Sequence, residues 1–450
     1  HPPTTANYTS DVSSAASDVY KRQVQDAASG ILLASWKIPS ENEDDIACCL
    51  REVATWYDFP DRVLHDLSSM MSNACDLALP GILHFVCHYH LASDVGGDLY
   101  KKSQAALSNR IRALKVQPRL REQRRGQKEW LSQQINSPAE LVLQELLAGK
   151  EVDGIFSETL GREVLLAFHY WILDYRSDGR RRGFPFDPYT LYLHRRLVRA
   201  GEAVDRLLSC RDVARQAPRV LFNFQKQLTQ YRTDAQIVAA ADLYERSSAM
   251  LTRLRDALRL TAENMQNLRQ PHELTAAEQQ ELKTELHNLR EQLRQQCDDE
   301  NDINQPLAEI VLVHLDRYWS HLVPDHTSQD ERWERTTNKL ESYWRRSKRP
   351  RRQTHGRAKL TRDFQALPAE YMLVPNLENP TYVQLVLGGS LDALPSRLAE
   401  ASRHAASFSA GQRRRRPQLL GKISRRLVRD DSFVDRLIEA CDDHCQQNAA

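Results

Sequence analysis

From Gly30 to Leu99 the chain alternates short apolar runs with helix-forming segments, and after Leu99 that alternation stops. Gly30-Ile-Leu-Leu-Ala-Ser-Trp-Lys-Ile38 reads as a strand, bounded by Gly30 and by Pro39-Ser40. Ser40 with Glu43 predicts a capping box, opening a helix whose Ile46, Leu50, Val53 and Ala54 share one face. Residues 62–66 predict a short buried strand that ends on Asp66, residues 68–79 a helix, and residues 81–87 the next strand. A further helix is expected from about Ser93. Strand and helix in turn over so short a stretch are the mark of an α/β layer.

Residues 100–322 predict a series of amphipathic helices instead. Leu282, Leu286, Leu289 and Leu293, spaced 4-3-4, share one face of a helix that opens near Glu273. That stripe suits packing inside a helical bundle, and an intermolecular coiled coil would need more heptads. Composition agrees with a mostly helical chain: 16 Gly in 450 residues are too few for a turn-rich all-β protein. A longer helix is expected over 328–346, ended by Pro350, and two or three more follow in the tail, one near Asp431.

A net charge of +2 hides an uneven distribution. Between Arg345 and Arg362 lie nine Lys/Arg and no acid, and between Arg413 and Arg429 eight and no acid. Such blocks point to a polyanionic partner. The loop Arg176-Ser-Asp-Gly-Arg-Arg-Arg-Gly183 is also basic. The most apolar stretch, residues 77–92, is interrupted by Pro80, His84, His88 and His90, so no membrane partner is expected. Eight scattered Cys do not form a disulfide framework and suit a reducing, cytoplasmic setting.

Three groups could carry chemistry. Asp66, beyond the end of a buried strand, is placed to hold a divalent cation, or else to cap the next helix through the amides of Ser68 or Ser69. Cys87 and His90 have the spacing of half a zinc site, or are a thiol and an imidazole packed at a strand end. Glu341 ends Thr336-Thr-Asn-Lys-Leu-Glu341 and abuts Arg345, Arg346, Lys348, Arg349, Arg351 and Arg352. Carboxylates that hold two metal ions, with cations gripping the phosphodiester, would make sense of that placement; otherwise Glu341 is a solvated helix residue and the block a solvated face or a non-specific phosphate grip.

Leu64-His-Asp-Leu67 with Cys87-His-Tyr-His90, then Ser93-Asp-Val-Gly-Gly-Asp-Leu99, then Thr336–Glu341 ahead of a basic segment and Gly356, resemble in their order a DDE-type transposase of the Mutator and hAT-like kind. The resemblance covers about Val24 to Asn379. It implies an α/β RNase H-like core interrupted by a large all-α insertion, mostly helical overall. Asp66 and Glu341 would be catalytic and metal-binding, with two Mg²⁺ or Mn²⁺ ions. Arg345, Arg346, Lys348, Arg349, Arg351 and Arg352 would contact DNA, and Cys87 and His90 would be a structural motif near the site. Implied too are DNA partners (element ends and target), a possible homo-oligomer, and a bacterial, nucleoid-associated location. A non-enzymatic helical DNA-binding or scaffold protein, or an RNase H-like nuclease without strand transfer, are the alternatives.

The expected divisions are as follows. Residues 1–23 resemble the in-frame translation of a sequencing adapter and are set apart as disordered. Residues 24–99 are the first part of the core, 100–327 the helical insertion, 328–365 the last core helix with its basic segment, and 366–450 a helical tail. The first aspartate of such a core would fall upstream of Val24, Asp26 being placed in a turn, so the chain is expected to be inactive by itself.

Overall fold

The computed structural model describes residues 7–10, 20–38, 42–133, 157–180, 182–209, 211–260, 273–323, 333–337, 340, 352–353 and 369–400. In chain order these form β1 (Asn7–Ser10), β2 (Tyr20–Asp26), β3 (Leu32–Ile38), α1 (Glu43–Tyr57), β4 (Arg62–His65), α2 (Ser69–Ala78) and β5 (Leu83–Val86). Then come α3 (His88–Ala113), α4 (Val116–Ser132), α5 (Glu158–Leu173), α6 (Tyr189–Ser209), α7 (Arg211–Gln216), α8 (Arg219–Thr233) and α9 (Ala235–Ala257). Last are β6 (Glu273–Leu274), α10 (Ala276–Asp298), α11 (Gln305–Tyr318), β7 (Trp333–Glu334) and α12 (Pro380–Leu387), with short 3-10 turns between some of them. The described residues are mostly helical and the sheets small. Residues 1–61, 69–82 and 343–450 make one unit, and residues 62–68 and 83–342 the other.

In the first unit β2 pairs antiparallel with both β1 and β3, with a bulge between Val24 and Gln25. Val24, Leu32, Ala34 and Ile38 are buried. Asp26 ends β2, where its carboxylate accepts the Ser29 amide at 2.8 Å and so ties the turn through Gly30, whose φ of +70° favours glycine. Tyr20–Gln23 belong to β2 and Asn7–Ser10 form β1, whereas composition predicts disorder over residues 1–23. Pairing with the seven-residue β3 supplies the backbone partners that make β2 extended, and β2 in turn pairs with β1.

Helix α1 is capped by Asn42, not by Ser40, which lies outside the described residues. The Asn42 Oδ1 accepts the Asp45 amide at 2.8 Å, because Asn42 directly precedes the first helical residue. The expected stripe Ile46, Leu50, Val53 and Ala54 is buried, and α1 packs on α2. Asn376 covers the edge of β3: its Oδ1 accepts the Leu32 amide at 2.9 Å and its Nδ2 donates to the Leu32 carbonyl at 2.8 Å. The side-chain amide thereby copies the exchange a further strand would make.

In the second unit β4 and β5 pair in parallel, Arg62 opposite Leu83 and His65 opposite Val86. Helix α3 starts at His88, directly after β5, rather than near Ser93. Nothing between Val86 and Leu91 breaks a helix, and buried Leu91, Ala92, Val95 and Leu99 continue its apolar face. A Cβ on Gly96 would stand 2.6 Å from Pro185 Cγ and 2.9 Å from Leu251 Cδ2, so glycine here allows α3 to lie close against α9. The leucine stripe of α10 is fully inside this unit, where α10 packs on α9 and α11. Thr275 and Glu278 form the capping box that opens α10.

The continuous helix expected over 328–346 is not formed. Trp333–Glu334 is a strand paired antiparallel with Glu273–Leu274, and 335–337 are neither helix nor strand. The tail beyond residue 400, with the helix expected near Asp431, lies outside the described residues.

Candidate functional site

The end of the β4–β5 pair gathers Asp66, Cys87 and His90 from among the residues singled out from sequence. Asp66 follows β4 directly and is 7% exposed. One of its carboxylate oxygens accepts the Ser68 amide at 3.1 Å, the capping contact weighed above. Across the pair, the Cys87 amide donates to the His65 carbonyl at 2.7 Å, which sets Cys87 beside the residue before Asp66. Cys87 is fully buried as the residue preceding α3, and His90 lies in the first turn of that helix.

Segment 335–337 returns to this corner. The Thr337 amide donates to Cys87 Sγ at 3.4 Å and its hydroxyl to the same sulfur at 3.5 Å. That hydroxyl is also 3.5 Å from His90 Nδ1. Cys87 and His90 thus meet through a threonine. Among the described residues, no group of three or more His, Cys, Asp or Glu side chains is arranged to hold a metal ion.

Arg335 anchors the returning segment. It is 1% exposed; its guanidinium donates to the Leu258 carbonyl and, at 3.0 Å, to the Arg259 carbonyl, both just past the end of α9. These are the acceptors a helix end leaves unanswered. Burial, and then Arg259, lower the Arg335 guanidinium to about 10. The Arg335 carbonyl accepts the His88 amide at 3.1 Å, so one residue joins the end of α9 to the start of α3.

Three histidines to which the sequence assigned no role line the same corner. His65 Nδ1 contacts the Asp66 carbonyl, and His65 Nε2 lies 3.0 Å from His84 Nδ1. Because the carbonyl can only accept, Nδ1 of His65 carries the proton and its Nε2 accepts from His84. The His84 ring stacks on His321 with centroids 4.4 Å apart, and His321 Nδ1 donates to the His84 carbonyl at 3.1 Å. Burial, the neighbouring His84 and then His321 lower His65 to about 3, so it is neutral near pH 7.

The motif Ser93–Leu99 takes a packing role. Asp98 lies 3.0 Å from His314 Nε2 and Asp94 3.7 Å from His314 Nδ1, holding α11 on α3. In the basic loop, buried Asp187 accepts the amides of Arg180 at 2.9 Å and Gly183 at 2.9 Å, which fixes the loop's path. Leu340 is buried, whereas Glu341, Arg345, Arg346, Lys348, Arg349 and Arg351 lie outside the described residues. Arg352 is described and exposed.

No helix among the described residues is long and apolar enough to cross a membrane. No family model matches this chain, and no curated protein or solved structure matches it either.

Proposed function

We propose that this chain is of the DDE transposase kind, built for DNA strand cleavage and strand transfer, with Asp66 and Glu341 as two of the metal-binding carboxylates; two carboxylates do not hold both ions, so the chain by itself is expected to be inactive. In this reading residues 24–99 are the first part of an RNase H-like core and 100–327 its helical insertion. The observation that supports it best is the return of Thr337 to Cys87 across 250 residues. The segment that runs on to Glu341 is thereby tied to the strand beside the one that ends in Asp66.

Asp66 offers a hard oxygen donor at the C-terminal end of a parallel strand, oriented by the Ser68 amide, which suits one ligand position of Mg²⁺ or Mn²⁺. Asp66 and Glu341 would supply two of the three carboxylates such a site uses for its ions, which when bound supply an activated attacking oxygen and a stabilised leaving oxygen. The basic side chains from Arg345 to Arg352 would hold the DNA backbone, without reading its sequence.

The contact between Asp66 and the Ser68 amide favours a second reading, in which the carboxylate only caps and the chain is a non-enzymatic DNA-binding scaffold. Mn²⁺ titration separates the two. Asp66→Ala is expected to weaken Mn²⁺ binding by at least about tenfold, the loss of one carboxylate ligand. Unchanged binding overturns the catalytic reading. Six phosphate contacts would make log K fall against log salt with a slope of about −5, and a slope shallower than about −2 removes the basic block from the interface. A strand-joining assay distinguishes transposition from plain hydrolysis.

A further inference from the structure

In the second unit, helices α5, α6 and α9 enclose a groove of about 560 Å³, large enough for a small ligand. One wall is the indole of Trp171, 36% exposed. Along α6 stand three guanidiniums, Arg195, Arg196 and Arg199. Arg195 is bound by Glu245, with Nε to Oε1 at 2.7 Å, and Arg196 by Asp178, with Nε to Oδ2 at 2.7 Å. Arg196 also donates to the Trp171 carbonyl and, at 2.9 Å, to Ser177 Oγ, so its donors are committed.

Arg199 differs. It is exposed, and among the described residues no carboxylate pairs with it; its guanidinium lies 5.9 Å from the centre of the Trp171 ring. Three cations against two carboxylates leave this groove a formal charge of +1, and burial lowers the pKa of His194 beside them. Arg196 also lies over the Trp171 ring, 5.1 Å from its centre, so the groove offers a partly exposed indole and, beside it, one cation that no described carboxylate pairs with.

The same pairing of ring and guanidinium continues on the neighbouring helices. Arg124 of α4 lies 5.1 Å from the ring centre of Tyr170, which is 47% exposed, and Arg162 of α5 lies 4.2 Å from that of Trp130. Helix α4 carries five Lys/Arg against two Glu, a net +3. Aromatic faces interleaved with cations are what unpaired nucleic acid requires: bases stack on the rings and phosphates meet the charges. A duplex, whose bases are already stacked, cannot use the rings.

We infer that the Trp171–Arg199 groove binds an unpaired nucleotide, its base stacked on Trp171 and its phosphate on Arg199. The nucleotide can be free or part of a single strand. The site uses none of the residues of the strand-cleavage reading and holds whether or not that reading does.

The test is fluorescence anisotropy with a labelled oligothymidylate, competed by thymidine monophosphate and by duplex of equal length. Trp171→Ala and Arg199→Ala are each expected to weaken oligothymidylate binding by about tenfold, the effect of losing one stacked base or its phosphate contact. Trp171→Phe, which keeps an aromatic face, is expected to remain within about threefold of the parent. Competition by the mononucleotide assigns the groove to free nucleotides, and competition by the oligomer alone assigns it to a strand. Thermal melting of each variant confirms that it is folded. The inference is overturned if the folded parent binds neither ligand, if both alanine variants bind like the parent, or if they weaken duplex binding to the same extent.

Discussion

At the end of β4 and β5, His65 and Arg335 are buried and answered by backbone groups and a neighbouring side chain, whereas on α6 Arg195 and Arg199 are exposed and answered by a carboxylate and a ring face. His65 and Arg335 belong to the first kind, at 0% and 1% exposure; Arg195 and Arg199 belong to the second. Burial lowers both His65 and Arg335, because the charged form loses its hydration. Arg195 moves the other way, raised by its hydrogen bonds to Glu245. The corner near Asp66 uses polar groups to join distant pieces of chain at a fixed geometry, and the α6 groove keeps charge available to a visitor.

That contrast is broken most severely by removing Arg335. Arg335→Ala leaves the Leu258 and Arg259 carbonyls without their donor in a buried place, and about 4 kcal/mol of stability is expected to go, as two unanswered acceptors and a cavity imply. Urea denaturation measures it; a loss under about 1 kcal/mol would mean water replaces the guanidinium easily, contrary to a buried anchor.

Acid provides a milder break. His65 titrates near 3 in the folded chain and near 6.5 when unfolded, so between those values the unfolded state holds more protons. Its contribution to stability is complete above pH 6.5 and is lost as pH falls toward 3, at up to about 1.4 kcal/mol per pH unit. His88, lowered to about 3 chiefly by burial, adds to the same slope. His65→Asn is expected to flatten the stability–pH profile over that window by the share of one proton, while an unchanged profile would place the imidazole in contact with solvent.

The smallest effect falls on the α6 side. Arg199→Ala, the same deletion of a guanidinium, is expected to change folding stability by less than about 0.5 kcal/mol, since the side chain is exposed and bridges no backbone. Measured beside Arg335→Ala, it separates a cation that holds the fold from one that faces outward.

Much of the α/β segment was legible because its signals are local. Gly30 and Pro39 bound a strand, and Ile46, Leu50, Val53 and Ala54 recur at helical spacing; the structure buries all four. The α10 stripe was legible for the same reason. The stretch 333–337 was not. Its Trp333 stands at helical spacing from Leu340, yet pairing of Trp333 with Leu274 and the attachment of Arg335 to the end of α9 hold it extended. Those partners lie more than fifty residues away, and helix periodicity carries no trace of them. The start of α3 was misplaced by a few residues because the histidines of 88–90 read as polar, whereas His88 is fully buried with Nε2 on the Leu322 carbonyl at 2.7 Å.

By itself the sequence determined the predominance of helix, the strand–helix alternation ahead of residue 100, the intramolecular leucine stripe and the basic blocks, all of which follow from residue types at short spacing. Packing of segments distant in the chain sets the rest: Cys87 and His90 share Thr337, His65, His84 and His321 form one chain of contacts, and Trp171 meets Arg199 in a groove. The physical reason is the reach of the interactions. Propensity, capping and amphipathic spacing act over a turn or two of chain, while a buried polar group takes whatever partner the packing of distant helices brings within about 3 Å.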